Sequence, residues 1–393
     1  MLIAQNSEGK LFSLAQVSRE SSGEWRKLRL FCPICDQRVR LKRGRIRIPH
    51  FAHVSDQSCL STNTGESEEH LTLKKLLVEW CSQQGIAHQL EAYIPKIQQR
   101  ADLLIGHLAI EFQCSTLTLT DMEKRTASYI KNGYQPFWIC GEHIWNTGKN
   151  SKAIRRFCSY SEKLGFHLWT ANWRTKKLYL RYHIELAANK MRYGTKCWSF
   201  GEERLREIMD KEFEKRLFHF REYLPEEEMS TAYQEIYKKL RGRKRDIMAV
   251  QSLYYQNGLH LLSLHPWFYY PINCGFLLNG SDLLFKYQCW DLLRGRKKQV
   301  IKKEELLAFS RDYLVKQKLD QLFPLIELPI LAKWQTHYLI KGLVSCGVLK
   351  KTSEENGFQI IIDPTNTVKP HSTLFLDKKW GTEVIITGTP VKI

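Results

Sequence analysis

Hydrophobic and polar positions follow different periods in different parts of this chain. Over residues 1–60 the apolar positions form short strand-like runs, at 1–4, 28–31 and 38–41, with cysteine and histidine clustered at the turns. A segment so small ordinarily needs a metal staple, which predicts a compact metal-held module at 1–60. From residue 67 the period changes: Leu71, Leu73, Leu76, Leu77 and Trp80 recur near 3.6 residues and predict a helix over 67–84. Strand-like runs follow at 88–94, 100–105, 108–114 and 136–140, with a helix over 119–132 before the last. Helix, three strands, helix, strand is a mixed α/β unit. A helix over 151–164 and strands over 166–173 and 177–182 extend it to about residue 187.

Residues 188 to about 350 read as mainly helical, and the run 202–222 alternates acids and bases at spacings that pair one turn apart, the pattern of a solvated helix. Strand chemistry returns at 358–362 and 383–386. The expected fold class is multi-domain α/β: a metal-stapled module at 1–60, a mixed-sheet α/β domain at 61–187, and a mainly α-helical basic region at 188–393.

Composition narrows the function. With 43% hydrophobic and 12% aromatic residues in 393, the chain is neither disordered nor collagen-like. Sixty Lys and Arg against 41 Asp and Glu leave a net charge of +19, which favours a polyanionic partner, nucleic acid ahead of an anionic membrane surface. No basic segment followed by an apolar one opens the chain, so no secretory signal is expected. The most apolar stretch, 259–278, carries His260, His265, Pro266, Pro271 and Asn273, which predicts buried core and no membrane insertion. Eleven cysteines without a signal fit reduced thiols and a cytoplasmic location.

Cys32-Pro33-Ile34-Cys35 puts two thiols on one turn, and His50, His53 and Cys59 follow closely. Zinc takes four soft or imidazole ligands, so five candidates compete for four places. The set Cys32, Cys35, His53 and Cys59 is expected to hold a structural Zn²⁺, with His50 as the substitute.

The segment from Arg100 to Gln113 reads as a hairpin turning at Gly106-His107. Strand alternation places Glu111 and Gln113 on one face and Ile110 and Phe112 on the other, and the hairpin carries Asp102 and Glu111 toward one edge, where two carboxylates can hold Mg²⁺ or Mn²⁺. On the preceding helix Glu66 and His70 are one turn apart, and Glu66 or Glu69 could close such a site. The following helix bears Lys124, Arg125, Tyr129 and Lys131, and Arg125 and Tyr129 share a face that either meets substrate phosphate or is merely solvated.

Two basic runs lie further on: Lys238, Lys239, Arg241, Arg243, Lys244 and Arg245, then Arg294, Arg296, Lys297, Lys298, Lys302 and Lys303. Each can neutralise several phosphates. Arg-Gly-Arg recurs at 43–45, 241–243 and 294–296, a glycine turn projecting two guanidiniums. Between the runs, Tyr254, Tyr255, Trp267, Phe268, Tyr269, Tyr270 and Trp290 offer either stacking platforms for unpaired bases or core.

The Cys-Pro-x-Cys start, Pro49-His50-Phe51-Ala52-His53, Glu66-Ser67-x-x-His70 and Ala109-Ile110-Glu111-Phe112-Gln113-Cys114-Ser115, taken in order with Gly133, Trp138 and Ile139, resemble the competence protein CoiA family of transformable Gram-positive bacteria. The resemblance runs from residue 1 to about 140; beyond that only length and basic character are shared. It implies a role in natural transformation, where internalised single-stranded DNA is bound, processed and recombined by the RecA recombinase alongside other competence DNA-processing proteins. It also implies a central domain similar to PD-(D/E)xK nucleases, with Asp102 and Glu111 as metal ligands, Glu66 as the helix acid and Gln113 where those enzymes carry lysine. Glutamine can orient water but brings no charge, so a cation would have to come from Lys74, Lys124 or Arg125. Two functions follow: a metal-dependent deoxyribonuclease, or a non-catalytic DNA-binding recombination mediator that keeps the nuclease fold.

Overall fold

In the computed structural model the described residues are 1–18, 21–44, 48–54, 59, 66–115, 117–148, 152–187, 190–209, 225–271 and 275–362. The chain divides into two compact units, one comprising Met1–Glu185, Met191–Phe220 and Gln317–Ile330 and the other Leu186–Lys190, Arg221–Lys316 and Leu331–Ile393.

The first unit opens with β1 (Ile3–Gln5), β2 (Leu11–Ser13), β3 (Leu30–Phe31), β4 (Arg38–Lys42) and β5 (His50–His53), a five-stranded sheet in the order β2-β1-β3-β4-β5. Then come α1 (Glu68–Gln83), β6 (Gln89–Ile94), β7 (Gln99–Ile105), β8 (Leu108–Gln113), α2 (Leu119–Lys131) and β9 (Gln135–Gly141), followed by the short helices α3 (Glu142–Gly148) and α4 (Lys152–Arg155). Strands β10 (Ser159–Ser161), β11 (Gly165–Asn172), β12 (Lys177–Ala187) and β13 (Lys190–Ser199) and the helix α5 (Leu205–Met209) follow. The large sheet has the order β13-β12-β11-β9-β8-β7-β6, with β10 pairing only β11. Its β6-β7-β8 part is antiparallel, and β8-β9-β11 is parallel.

Strand β8 reads Leu-Ala-Ile-Glu-Phe-Gln and is buried along nearly its whole length because helices cover both faces of the sheet. Ile110 and Phe112 join the core made with Leu73, Leu77 and Trp80 of α1, whereas Ala109 packs with Tyr129 of α2. Alternation puts these neighbours on opposite faces, so α1 and α2 sandwich the strand. The same α1 core takes in Leu2, Ala4, Leu30, Val39 and Phe51, so the N-terminal sheet and the large sheet share one hydrophobic interior.

The second unit contains α6 (Pro225–Arg241), α7 (Arg245–Tyr255), α8 (Gly275–Leu278), α9 (Asp282–Leu293), β14 (Val300–Lys302), α10 (Lys303–Lys316), most of α11 (Leu328–Ser345), β15 (Leu349–Lys351) and β16 (Gly357–Ile360). Its three strands form an antiparallel sheet in the order β14-β16-β15.

Several elements differ from the sequence expectation. The helix expected over 151–164 stops at Arg155, and Ser159–Ser161 instead pairs with β11 across a turn that ends at Gly165, whose φ of 57° suits glycine. Residues 190–199, taken as helical ground, are the edge strand β13; an edge strand is half solvated, so its polar residues carry little apolar signal. Trp267, Phe268, Tyr269, Tyr270, Tyr254 and Trp290 are buried core and offer no stacking platform; Tyr255 alone of that set is exposed. The expected strand at 383–386, residues 210–222 of the charged run, Arg45 and Asn273 lie outside the described residues.

Candidate active site and metal centre

The site begins at the start of α1. Ser67 caps the helix by accepting a hydrogen bond from the His70 N–H, and this sets His70 and Lys74 one turn apart on one face; Glu66, expected on the helix, instead lies just before the cap and its carboxylate meets Lys74 Nζ. That face looks onto β7 at the residue where the strand is interrupted. Ala101 and Leu104 pack on the α2 side and Leu103 and Ile105 on the α1 side, so the period of two breaks at Asp102. Glu91, opposite on β6, adopts φ 50°, a left-handed conformation costly for a residue with a side chain. Such strain tends to gather at functional sites.

The break frees the Asp102 carboxylate. Its Oδ2 accepts the Phe112 N–H of β8 at 2.8 Å and lies 2.9 Å from His70 Nε2. Lys74 Nζ, with no exposed surface, sits 2.9 Å from Glu66 Oε1, 2.6 Å from Glu91 Oε1 and 3.8 Å from Asp102 Oδ1. Arg100 adds a second cation 3.1 Å from Glu66. Glu91 also accepts the backbone N–H groups of Leu2 and Ile3, tying β1 to the site. One donor atom each from Glu66, His70 and Asp102 lies within 4.8 Å of the others. Glu66 Oε2 is buried without a hydrogen bond, although the Met1 ammonium stands 3.2 Å away. Two carboxylates and one imidazole suit a hard or borderline divalent cation such as Mg²⁺ or Mn²⁺.

Burial opposes ionisation of every acid here, and the cations overcome it. Burial is the largest influence on Glu66, yet Lys74, the Met1 ammonium, Arg100 and His70 hold its carboxyl well below the usual range. For Asp102, burial is outweighed by His70, then Lys74 and the Phe112 N–H, and this carboxyl too is held low. Burial likewise disfavours the Lys74 charge, but Glu91, Glu66 and Asp102 raise its pKa above that of an ordinary lysine. Glu66, Asp102 and Lys74 thus each favour their charged form despite burial.

Glu111 belongs to a neighbouring constellation. It remains on the α2 face of β8, where Arg125 Nη2 lies 2.5 Å and the Tyr129 hydroxyl 2.6 Å from Oε1. Burial pushes its carboxyl up, Arg125 pulls it down, and the charge of Asp102 adds to the rise. The sequence brings Asp102 and Glu111 to one edge as a pair; the break at Asp102 instead turns one acid toward α1 while the other faces α2. Tyr129 is wholly buried and Arg125 one-quarter exposed, so of the two only Arg125 reaches solvent; Lys124 is exposed on the same helix. The Gln113 amide donates to the Ser115 carbonyl at 2.8 Å. Glu69 lies at the other margin, its carboxyl so close to Gly141 that a Cβ there would meet Oε1 at 2.7 Å.

Sequence spacing already pairs Glu66 with His70, although Glu66 stands just outside the helix. Nothing in the sequence marked Glu91 and Arg100, whose roles arise from the local backbone break.

The Cys and His site is built by the turn after β3 and the β4–β5 hairpin. The Cys32 carbonyl accepts the Asp36 N–H, closing a turn that Asp36 completes with φ 51°, and this sets both thiols of the Cys-Pro-Ile-Cys segment on one side. Ligand atoms of Cys32, Cys35, His53 and Cys59 all lie within 4.8 Å of one another, and Cys35 Sγ is 3.3 Å from His53 Nε2. These four residues form a site that could bind a metal. His50 is turned away, its Nδ1 on the Ile48 carbonyl at 2.8 Å. Burial raises the Cys32 thiol, and burial together with the neighbouring thiols pushes Cys35 up to about 12. A bound cation reverses that preference, since coordination deprotonates thiols.

In the second unit, Arg241, Arg243, Lys244 and Arg245 are all exposed around the α6–α7 turn. Arg294, Lys297 and Lys298 are exposed after α9, and Arg294 bonds Asp291 and Asn257. Arg296 is already neutralised by a two-pronged contact with Glu305 at 2.5 and 3.2 Å.

Residues 66–213 match the family profile "Competence protein CoiA, nuclease-like domain", and residues 14–62 match "Competence protein CoiA, N-terminal domain", together about half of the chain. The chain is 37% identical over 120 residues to the competence protein CoiA of Bacillus subtilis (strain 168), a match covering 30% of this chain and 32% of that protein. The matched stretch thus spans about a third of the relative's length. No solved structure matches the chain. Among the described residues no helix is long and apolar enough to cross a membrane.

Proposed function

This chain belongs to the competence protein CoiA family, with a nuclease-like domain, and from that premise we propose that it is a metal-dependent deoxyribonuclease acting on internalised DNA during transformation. The observation that carries the reading is the convergence of Glu66, His70 and Asp102 within 4.8 Å, with the Lys74 ammonium among them. Those three side chains would hold one Mg²⁺ or Mn²⁺, which when bound polarises a phosphoryl oxygen and acidifies water.

The chain's own residues set the stage for that chemistry. Lys74 and Arg100 keep the acids ionised, and the Phe112 N–H and His70 fix the orientation of Asp102. Lys74 supplies the positive charge that Gln113 lacks, from α1 instead of β8. Arg125, aimed by Glu111 and partly exposed, is proposed as the contact to substrate phosphate, and Tyr129 as its support. The thiols of Cys32, Cys35 and Cys59 with His53 would hold a structural Zn²⁺, because four protein ligands leave no position for substrate. The exposed run Arg241 to Arg245, with Arg294, Lys297 and Lys298, is proposed to hold single-stranded DNA, and the processed strand to pass to the RecA recombinase.

Mn²⁺ titration followed by electron paramagnetic resonance tests the metal centre. One ion should bind the full chain and none should bind the Asp102→Asn variant at that site; equal binding by both proteins would remove it. A second reading, a mediator without cleavage, is favoured by the engagement of Glu111 with Arg125 and Tyr129 and of Gln113 with Ser115. It predicts DNA binding without hydrolysis under any metal.

A further inference from the structure

The second unit contains an order of elements that its sequence does not advertise. Helix α9 leads to β14, then α10, α11, β15 and β16, and the strands pair antiparallel in the order β14-β16-β15. Helix, strand, helix, helix, then a two-strand hairpin whose last strand lies between the other two is the winged-helix arrangement, a helix-turn-helix with a small sheet at its side. Its interior is regular: Phe285 of α9 meets Phe309 and Tyr313 of α10 at ring distances of 5.3 and 4.9 Å, and Ile301, Leu306, Leu314, Leu339, Leu343 and Ile360 are buried. The connection from α10 to α11, residues 317–327, is longer than the usual three- or four-residue turn.

In such an arrangement the second helix of the pair enters the major groove of duplex DNA. Here that helix is α11, and its outward stripe carries Lys333, His337 and Lys341 at successive turns, all exposed. Lys333 and Lys341 are about 12 Å apart along the axis, close to the width of a major groove of about 12 Å, so the two ammoniums can address the phosphates of its walls while His337 faces base edges. Lys303, exposed at the start of α10, adds to the same positive surface, and its charge reaches His337 as that of Lys341 does. Exposed Lys350 and Lys351 lie on β15, whereas Glu354 and Glu355 at the hairpin tip make that tip a poor phosphate contact.

We propose that residues 282–316 and 331–360 of the second unit form a winged-helix element that binds duplex DNA through the Lys333, His337 and Lys341 face of α11, with Lys303 beside it. This site is separate from the basic run at the α6–α7 turn and does not depend on whether the carboxylate cluster cleaves DNA. It would let one chain hold the duplex recipient as well as the incoming strand.

Fluorescence anisotropy of the full chain in EDTA, with a short labelled duplex and a single strand of the same sequence, tests the assignment without cleavage. The Lys333→Gln/Lys341→Gln variant should lose about ten-fold in duplex affinity and lower the salt slope by about 2, with single-strand affinity changed less than about two-fold. His337→Ala, which leaves both ammoniums, should weaken duplex binding while leaving the salt slope unchanged. Duplex affinity within about two-fold of the parent in the lysine variant, or equal losses on both substrates, overturns the proposal. Thermal melting of each variant establishes that it is folded, and the EDTA present throughout keeps the readout independent of cleavage.

Discussion

Lys74 Nζ on α1 lies 3.8 Å from Asp102 Oδ1 on β7, wholly buried, and also pairs with Glu66 and Glu91. Lys74 thus sets one buried cation among three acids drawn from three different segments.

Removing that charge should destabilise the fold in a pH-dependent way. Lys74→Met leaves Glu66 and Glu91 buried with Arg100 as their main remaining side-chain cation, at a cost of about 3–5 kcal/mol. In the parent these carboxyls have depressed pKa values, so the stability they bring is present above the ordinary carboxylate range and is lost as pH falls through the lowered values. In the variant, burial raises them instead, and protonation relieves the repulsion. The difference in urea midpoint between parent and variant should be largest near neutrality and shrink below about pH 5. A difference that does not change with pH would contradict the electrostatic account.

Tyr129→Phe removes a hydroxyl that donates to the buried Glu111 carboxyl. Stability should fall by about 1–3 kcal/mol, read as a lower melting temperature. DNA affinity should change by less than about two-fold, because the hydroxyl is buried and Glu111 still holds Arg125 in the variant. A variant that melts like the parent yet binds DNA more weakly would place Tyr129 at the substrate instead.

Metal analysis of the purified chain should find about one equivalent of zinc. Cys32→Ser should remove it and lower the melting temperature, and His50→Ala should retain it, since His50 faces the Ile48 carbonyl. Zinc lost on changing His50 would move the fourth ligand from the observed set.

Neutralising Arg241, Arg243, Lys244 and Arg245 together should weaken single-strand binding and lower its salt slope by up to about 3. Arg296→Ala should do little, because Glu305 already takes its charge. Equal effects of the two changes, measured by salt titration of anisotropy, would show that pairing with Glu305 does not silence Arg296.

The parts of the fold and site that depend on spacing were legible in the sequence. The short spacing from Glu66 to His70 brings the two together at the start of α1, and the turn Cys32 to Cys35 with His53 and Cys59 holds the four residues that converge, with His50 as the fifth candidate. Non-local backbone events were not legible. The left-handed Glu91 and the break at Asp102 send Asp102 and Glu111 to different helices, which alternation along an ideal hairpin cannot show. The run Trp267 to Tyr270 reads as core first and as a stacking surface second, and burial decides for core. The winged-helix order was invisible because β14 and β15 have only three residues each, too few for a period to emerge.

The most direct test of the nuclease reading is cleavage of end-labelled single-stranded, duplex and branched DNA by the full chain with Mg²⁺ or Mn²⁺, beside Asp102→Asn and with EDTA as control. The account predicts hydrolysis that requires the metal and disappears in the variant while DNA binding in EDTA persists. Tight, salt-sensitive binding with no cleavage under any metal, or cleavage undiminished in Asp102→Asn, would contradict it.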